Sequence, residues 1–167
     1  RSMTADRALS ESHQRLVDNV EQHGCQILFV FDADGDDPDF AYSVGFRKTV
    51  GQPEVIIFGL KKELMHSMIN GLLEQCRNGL QLVENGLIDD LIEGFQCVAK
   101  KVHPSQIEEG YFNSSMWFHN LEFGGELTEV FQIVWPGAQD GKFPWDEGCS
   151  NYVQDVQTAL YKPRLTA

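Results

Sequence analysis

The chain has 167 residues, 42% of them hydrophobic and 23% charged, the size and make-up of one soluble globular domain that folds without disulfide or metal staples. Its 25 Asp and Glu outweigh 13 Lys and Arg for a net charge of −12. A surface of that sign repels phosphate, which excludes generic binding to DNA, RNA or anionic lipid and makes a basic protein the natural counterpart.

No apolar run approaches the roughly 18 residues of a membrane span. Residues 1–6 lack the basic-then-apolar order of a secretory signal. Met3 is the expected start, and one domain is expected over residues 4–162. Residues 5–22 place Leu9, Leu16, Val17 and Val20 on one side of a helix, stopped by His23-Gly24. The apolar run 26–31 predicts a strand buried on both faces. Residues 32–39 hold five aspartates, one Gly and one Pro, a turn composition. Residues 40–46 alternate as a strand does, so the pair predicts an antiparallel hairpin.

After the turn at 51–53, residues 54–60 are β-branched and apolar, the strongest strand pattern in the chain. Over 61–79, Leu64, Met65, Met68, Ile69, Leu72, Leu73 and Cys76 recur at three- and four-residue steps, which predicts one long helix with a continuous apolar face. The set Leu87, Ile88, Leu91, Ile92 suggests a short helical turn. Residues 95–102 and 129–135 read as strands. The aromatic-rich stretch 110–125 has no clean period, 136–151 reads as a loop, and 152–161 as a short closing helix. Short connections between the first three strands favour antiparallel pairing. The expected fold is α+β: about five strands, mostly antiparallel, with the 61–79 helix packed on the sheet.

Few constellations point to chemistry. Asp32-Ala33-Asp34-Gly35-Asp36-Asp37 resembles the opening of a calcium loop, but the sixth position is Asp37 rather than Gly and the twelfth is Ser43 rather than Glu. An aspartate-rich turn is the expectation. The histidines, His13, His23, His66, His103 and His119, have no zinc spacing, and His66 is expected to pack in the long helix. Cys25, Cys76, Cys97 and Cys149 form no CxxC and are expected to be reduced thiols of a cytoplasmic protein. His23 and Cys25, two apart, can share a strand face, yet a helix-to-strand turn explains the His-Gly pair without catalysis. There is no GxSxG elbow, Walker loop or GxGxxG. No catalytic residue, metal or cofactor is expected. Trp135-Pro136 and Phe143-Pro144-Trp145-Asp146 bracket an acidic loop, either as a binding platform or as a lid over the core.

Taken together, His23-Gly24-Cys25, Phe40 to Phe46, Pro53 to Leu60, Gln132 to Pro136 and Gly141 to Trp145 resemble the bacterial domain-of-unknown-function family 4262. That pattern runs His-Gly-Trp, Phe-Ala-Tyr-Thr-Ile-Gly-Leu, His-Pro-Glu-Leu-Ile-Val-Phe-Gly-Leu, Gln-Leu-Val-Trp-Pro-Asp and Gly-Arg-Phe-Pro-Trp. Cys25 stands at its Trp, Gln52 at its His and Gly137 at its Asp. The likeness covers residues 15–147 and implies a bacterial, cytosolic domain without implying a reaction. The 42–46 and 53–60 strands also resemble, more weakly, suppressor-of-fused-like domains, a group that includes immunity proteins of bacterial toxin systems.

Two functions follow as expectations. The first is a non-enzymatic acidic domain that binds a basic protein, as an immunity protein plugs a secreted toxin's active site. Its contacts would be Asp34, Asp36, Asp37, Trp135, Asp140, Trp145 and Asp146. The alternative is an enzyme or small-ligand binder with a pocket near Tyr42, Gly45, Glu54, His119 and Trp135.

Overall fold

The computed structural model describes residues 9–165. The expected start at Met3, and residues 4–8 of the expected domain and first helix, lie outside them. Helix α1, Glu11–His23, begins where the Ser10 hydroxyl accepts the His13 N–H at 3.1 Å. It ends at left-handed Gly24, whose N–H reaches the Val20 carbonyl at 2.9 Å.

Strands β1, Gln26–Val30, and β2, Phe40–Val44, form the expected hairpin, in register from Gln26 opposite Val44 to Val30 opposite Phe40. β1 lies at the sheet edge and is only half-buried along its length. Its apolar run therefore did not mean burial on both faces. A short helix, α2, Phe46–Val50, follows β2 through Gly45 at φ 108°. A Cβ there would meet Val20 Cγ1 at 2.7 Å, so glycine is required on both counts. β3, Glu54–Phe58, and the main helix α3, Lys62–Arg77, come next. α3 buries Met65, Met68, Ile69, Leu72, Leu73 and Cys76 as its periodicity predicts. His66 faces out, its Nδ1 3.2 Å from the Asn70 amide, and is no packing residue.

Residues 86–92 form strand β4, Gly86–Ile92, rather than a helical turn. The register against β5, Phe95–Lys101, slips between Ile88 and Ile92, with Asp90 at φ 65°. Three residues, 89–91, stand opposite Gln96 alone, and these two extra residues bring Ile88 and Leu91 to the core three positions apart, which imitates a helical spacing. A 3₁₀ turn, Pro104–Gln106, leads into α4, Glu109–Phe123, which departs from helical geometry at Phe112. Aromatic residues all round α4 hid its period: Phe112 and Phe118 are buried while Phe123 is 51% exposed. β6, Val130–Val134, completes the sheet.

Of the closing helix expected over 152–161, only α5, Asn151–Asp155, forms. The segment beyond it is captured by the sheet: the Gln157 amide exchanges two hydrogen bonds with the Trp135 backbone, and the Leu160 N–H reaches Gln132 Oε1 at 2.9 Å.

The sheet has six strands in the order β1-β2-β3-β6-β5-β4, one more than expected. Every pairing is antiparallel except β3 with β6. One face packs on α3 through Ala41, Val55, Ile57, Cys97, Phe131 and Ile133. The other is covered by α1 and α4 over Tyr42, Val44, Ile56, Phe58 and Val130. β2, β3 and β6 are buried throughout, which explains their unbroken apolar sequences. The four cysteines are free and buried.

Candidate functional site

β2 and β3 place Ser43 and Glu54 side by side at the end of the sheet where α2 begins. Glu54 is 3% exposed. Its Oε1 accepts the Ser43 hydroxyl at 2.6 Å and the Phe46 N–H at 3.1 Å, while its Oε2 accepts the Gly45 N–H at 2.9 Å. Ser43 Oγ in turn accepts the Val55 N–H at 2.9 Å, and its carbonyl accepts the Ser115 hydroxyl of α4 at 2.7 Å. The opening N–H groups of a helix have no partner within it. Here a glutamate from the neighbouring strand supplies one. Burial pushes its carboxyl from the ordinary 4.5 up to about 7, against the Ser43 hydroxyl and the backbone donors that hold it down. Both carboxyl oxygens are committed, so the node's chemistry is structural: it fixes Gly45, α2 and Arg47, whose guanidinium pairs with Glu129 at 2.9 Å.

A family model matches residues 19–150, from within α1 to the residue before α5. The chain belongs to this family, described as a domain of unknown function (DUF4262). No curated protein and no solved structure matches it. The matched span holds the whole Ser43–Glu54 node, so the Tyr-Ser-Val-Gly-Phe and Pro-Glu segments of this family member are two halves of one hydrogen-bonded unit.

The alternative pocket does not assemble. Tyr42 lies in the layer beneath α1 and α4, and its hydroxyl accepts the Ser114 N–H at 3.2 Å. Trp135 lies in the α3 layer and donates its indole N–H to the Phe58 carbonyl at 2.7 Å. His119 Nδ1 is 3.1 Å from the Gly125 carbonyl, beside Phe123. Only Gly45 and Glu54 meet. His23 and Cys25 do share the wall of a 390 Å³ cavity with His66, Asn19, Gln26 and Asn70. Burial, then the Glu54 charge, pushes the Cys25 thiol up to about 12, so it stays protonated and unreactive at neutral pH.

The opposite end of the sheet carries the two aspartate-containing loops. β1, β3 and β6 run in one direction, so the loops after β1 and β6 leave from the same end. In the first, the Asp32 carboxylate accepts the N–H groups of Asp34 at 3.0 Å and of Asp36 and Asp37 at 3.1 Å, which holds its carboxyl below the usual range. The calcium-like spacing is thus a self-capped turn that leaves Asp34, Asp36 and Asp37 facing solvent.

In the second loop, Asp140 accepts the Lys142 N–H at 3.0 Å and Asp146 the Phe143 N–H at 2.8 Å. Trp145 stacks on Phe143 at 5.3 Å, lies 5.2 Å from the Lys100 ammonium and is 45% exposed. Trp135 is in the core, so of the two expected anchors only Trp145 reaches the surface. Among the described residues every ion pair uses a glutamate, and no aspartate of either loop is paired. Among the same residues no group of three or more His, Cys, Asp or Glu is set to hold a metal, and no helix is long and apolar enough to cross a membrane.

Sequence reasoning missed Phe31, Glu108 and Tyr111 beside the first loop. Phe31 carried a signal: an aromatic that closes an apolar run immediately before five aspartates ends outside the sheet. Glu108 and Tyr111 carried none, since they sit at the start of the aperiodic α4.

Proposed function

We propose that this chain is a non-enzymatic binding domain for a basic protein, working in the cytoplasm, and that it docks through the sheet end bearing Asp32–Asp39 and Asp140–Asp146. The observation that carries this reading is the pairing state of the charges. Six glutamates, Glu21, Glu74, Glu84, Glu108, Glu122 and Glu129, are matched with Lys or Arg, whereas among the described residues no aspartate of either loop has an ion-pair partner. Unmatched charge costs self-repulsion that a partner of opposite sign relieves, and it speeds encounter with that partner. Exposed Phe31 at the root of the first loop and Trp145 within the second supply apolar anchors. The specific form of the proposal is an immunity protein that fills the cationic active site of a secreted toxin.

The test is co-purification from the native host with the wild-type chain and with a triple Asp34, Asp36, Asp37 to Asn variant, in low and high salt. The expected result is a basic protein retained by the wild type at low salt and lost in the variant and at high salt. Retention indifferent to salt and to the aspartates overturns the reading.

A further inference from the structure

Beside the first loop lies a cavity of 380 Å³ on the α4 side of the sheet. Its floor is three mutually packed rings: Phe40 and Phe58 at 5.2 Å, with Tyr111 at 5.6 and 6.0 Å from them and edge-on to both. Phe31, 64% exposed, stands at the mouth. Asp37 and Glu108 are the carboxylates of its rim whose oxygens make no bonds to the loop backbone; that of Asp32 is spent on its own turn.

A purely apolar ligand gains nothing from carboxylates at the mouth, and an anion is repelled by them. A cation gains twice: from the negative faces of the rings and from the carboxylates. A flat, weakly hydrated guanidinium suits such a site better than a strongly hydrated ammonium. The Arg164 guanidinium already pairs with Glu108 at the rim, which leaves Asp37 as the rim carboxylate open to an incoming cation. The charge of Asp37 is also felt inside: after burial, it is the second cause that raises the Tyr111 phenol.

We infer that this cavity is a receptor for an arginine side chain presented by the basic partner. The inference rests on the reading of the aspartate-bearing end as the docking face and names what enters it. Phe31 and the floor rings contact the guanidinium plane and stem, and Asp37 balances its charge.

The test is a two-dimensional NMR titration of the full chain with a hepta-arginine peptide, a hepta-citrulline peptide serving as the neutral isostere. The expected result is saturable shifts at Phe31, Asp37, Gly110 and Tyr111 with arginine and none with citrulline. Affinity should fall about three- to tenfold, the range of a cation–π contact, in Phe31→Ser. Asp37→Asn should weaken binding more than Asp34→Asn, which removes the same charge away from the cavity. Both positions are exposed, and the spectra themselves report whether each variant is folded. If the peptide binds but Phe31→Ser is neutral and Asp34→Asn matches Asp37→Asn, the cavity is not the receptor, though the docking face stands. Equal binding of the citrulline peptide also overturns the cavity. If hepta-arginine does not bind even at low salt, the cavity and the docking face both fall.

Discussion

The two ends of this sheet treat negative charge in opposite ways. At one end a single glutamate is buried and meets a hydroxyl and the first backbone amides of a helix. At the other, a run of aspartates stays in water, folded around one of their own number. The contrast separates carboxylates that build the domain from carboxylates that face outward, and net charge alone cannot make that distinction. Glu54 contributes as much to the −12 as Asp36 does, yet only the second is available to a partner.

The largest expected effect falls on the buried end. Glu54→Ala strands the Ser43 hydroxyl and the Gly45 and Phe46 amides without an acceptor, and should cost roughly 3–5 kcal/mol in urea unfolding. A loss under about 1 kcal/mol would show that water replaces the carboxylate and that the node is not closed.

The pH dependence follows from the same carboxyl. Its folded-state pKa is raised, so the native state holds the proton more tightly than the unfolded chain. The stabilisation is therefore fully present below about 4.5 and lost as pH rises to about 7, a loss on the order of 3 kcal/mol. Stability of Glu54→Gln should be flat across that window relative to the wild type; an unchanged slope would assign the titration to another group.

At the exposed end the effects are smaller and kinetic. Trp145→Ala should raise the dissociation rate of the partner complex by an amount worth about 2 kcal/mol, with little change in association. Replacing Asp34, Asp36 and Asp37 together with Asn should do the reverse, slowing association roughly tenfold at low salt and flattening its salt dependence. That triple variant should change unfolding stability by no more than about 0.5 kcal/mol, the range of surface substitutions. A larger stability loss would mean that these aspartates serve the fold, and the contrast between the two ends would disappear.

Sequence patterns carried the elements whose environment is uniform. α3 has one apolar face and β3 is buried on both, so their spacing and composition announce them. Patterns failed where the environment changes within an element. The bulge at Asp90 converts strand alternation into helical spacing, and the aromatics of α4 are divided between core and surface. Trp135 shows the limit for sites: as Trp-Pro before an acidic loop it reads as a platform, but its indole is claimed by the Phe58 carbonyl from a strand far away in sequence. Glu54 was visible as an unusual acid beside an apolar strand. Its partner Ser43 was not, because their meeting depends on the pairing of β2 with β3.

The parallel pairing of β3 with β6 has a consequence for how the chain comes off the ribosome. The edge of β3 that will receive residues 130–132 stays open until the whole of α3, the β4–β5 hairpin and α4 have been made. Through that interval the most apolar strand of the protein offers free backbone groups to any neighbouring chain. Contacts so distant in sequence also slow the final closure of the sheet. Synthesis is therefore the period in which this domain is most exposed to aggregation, and the hazard ends when β6 takes its place.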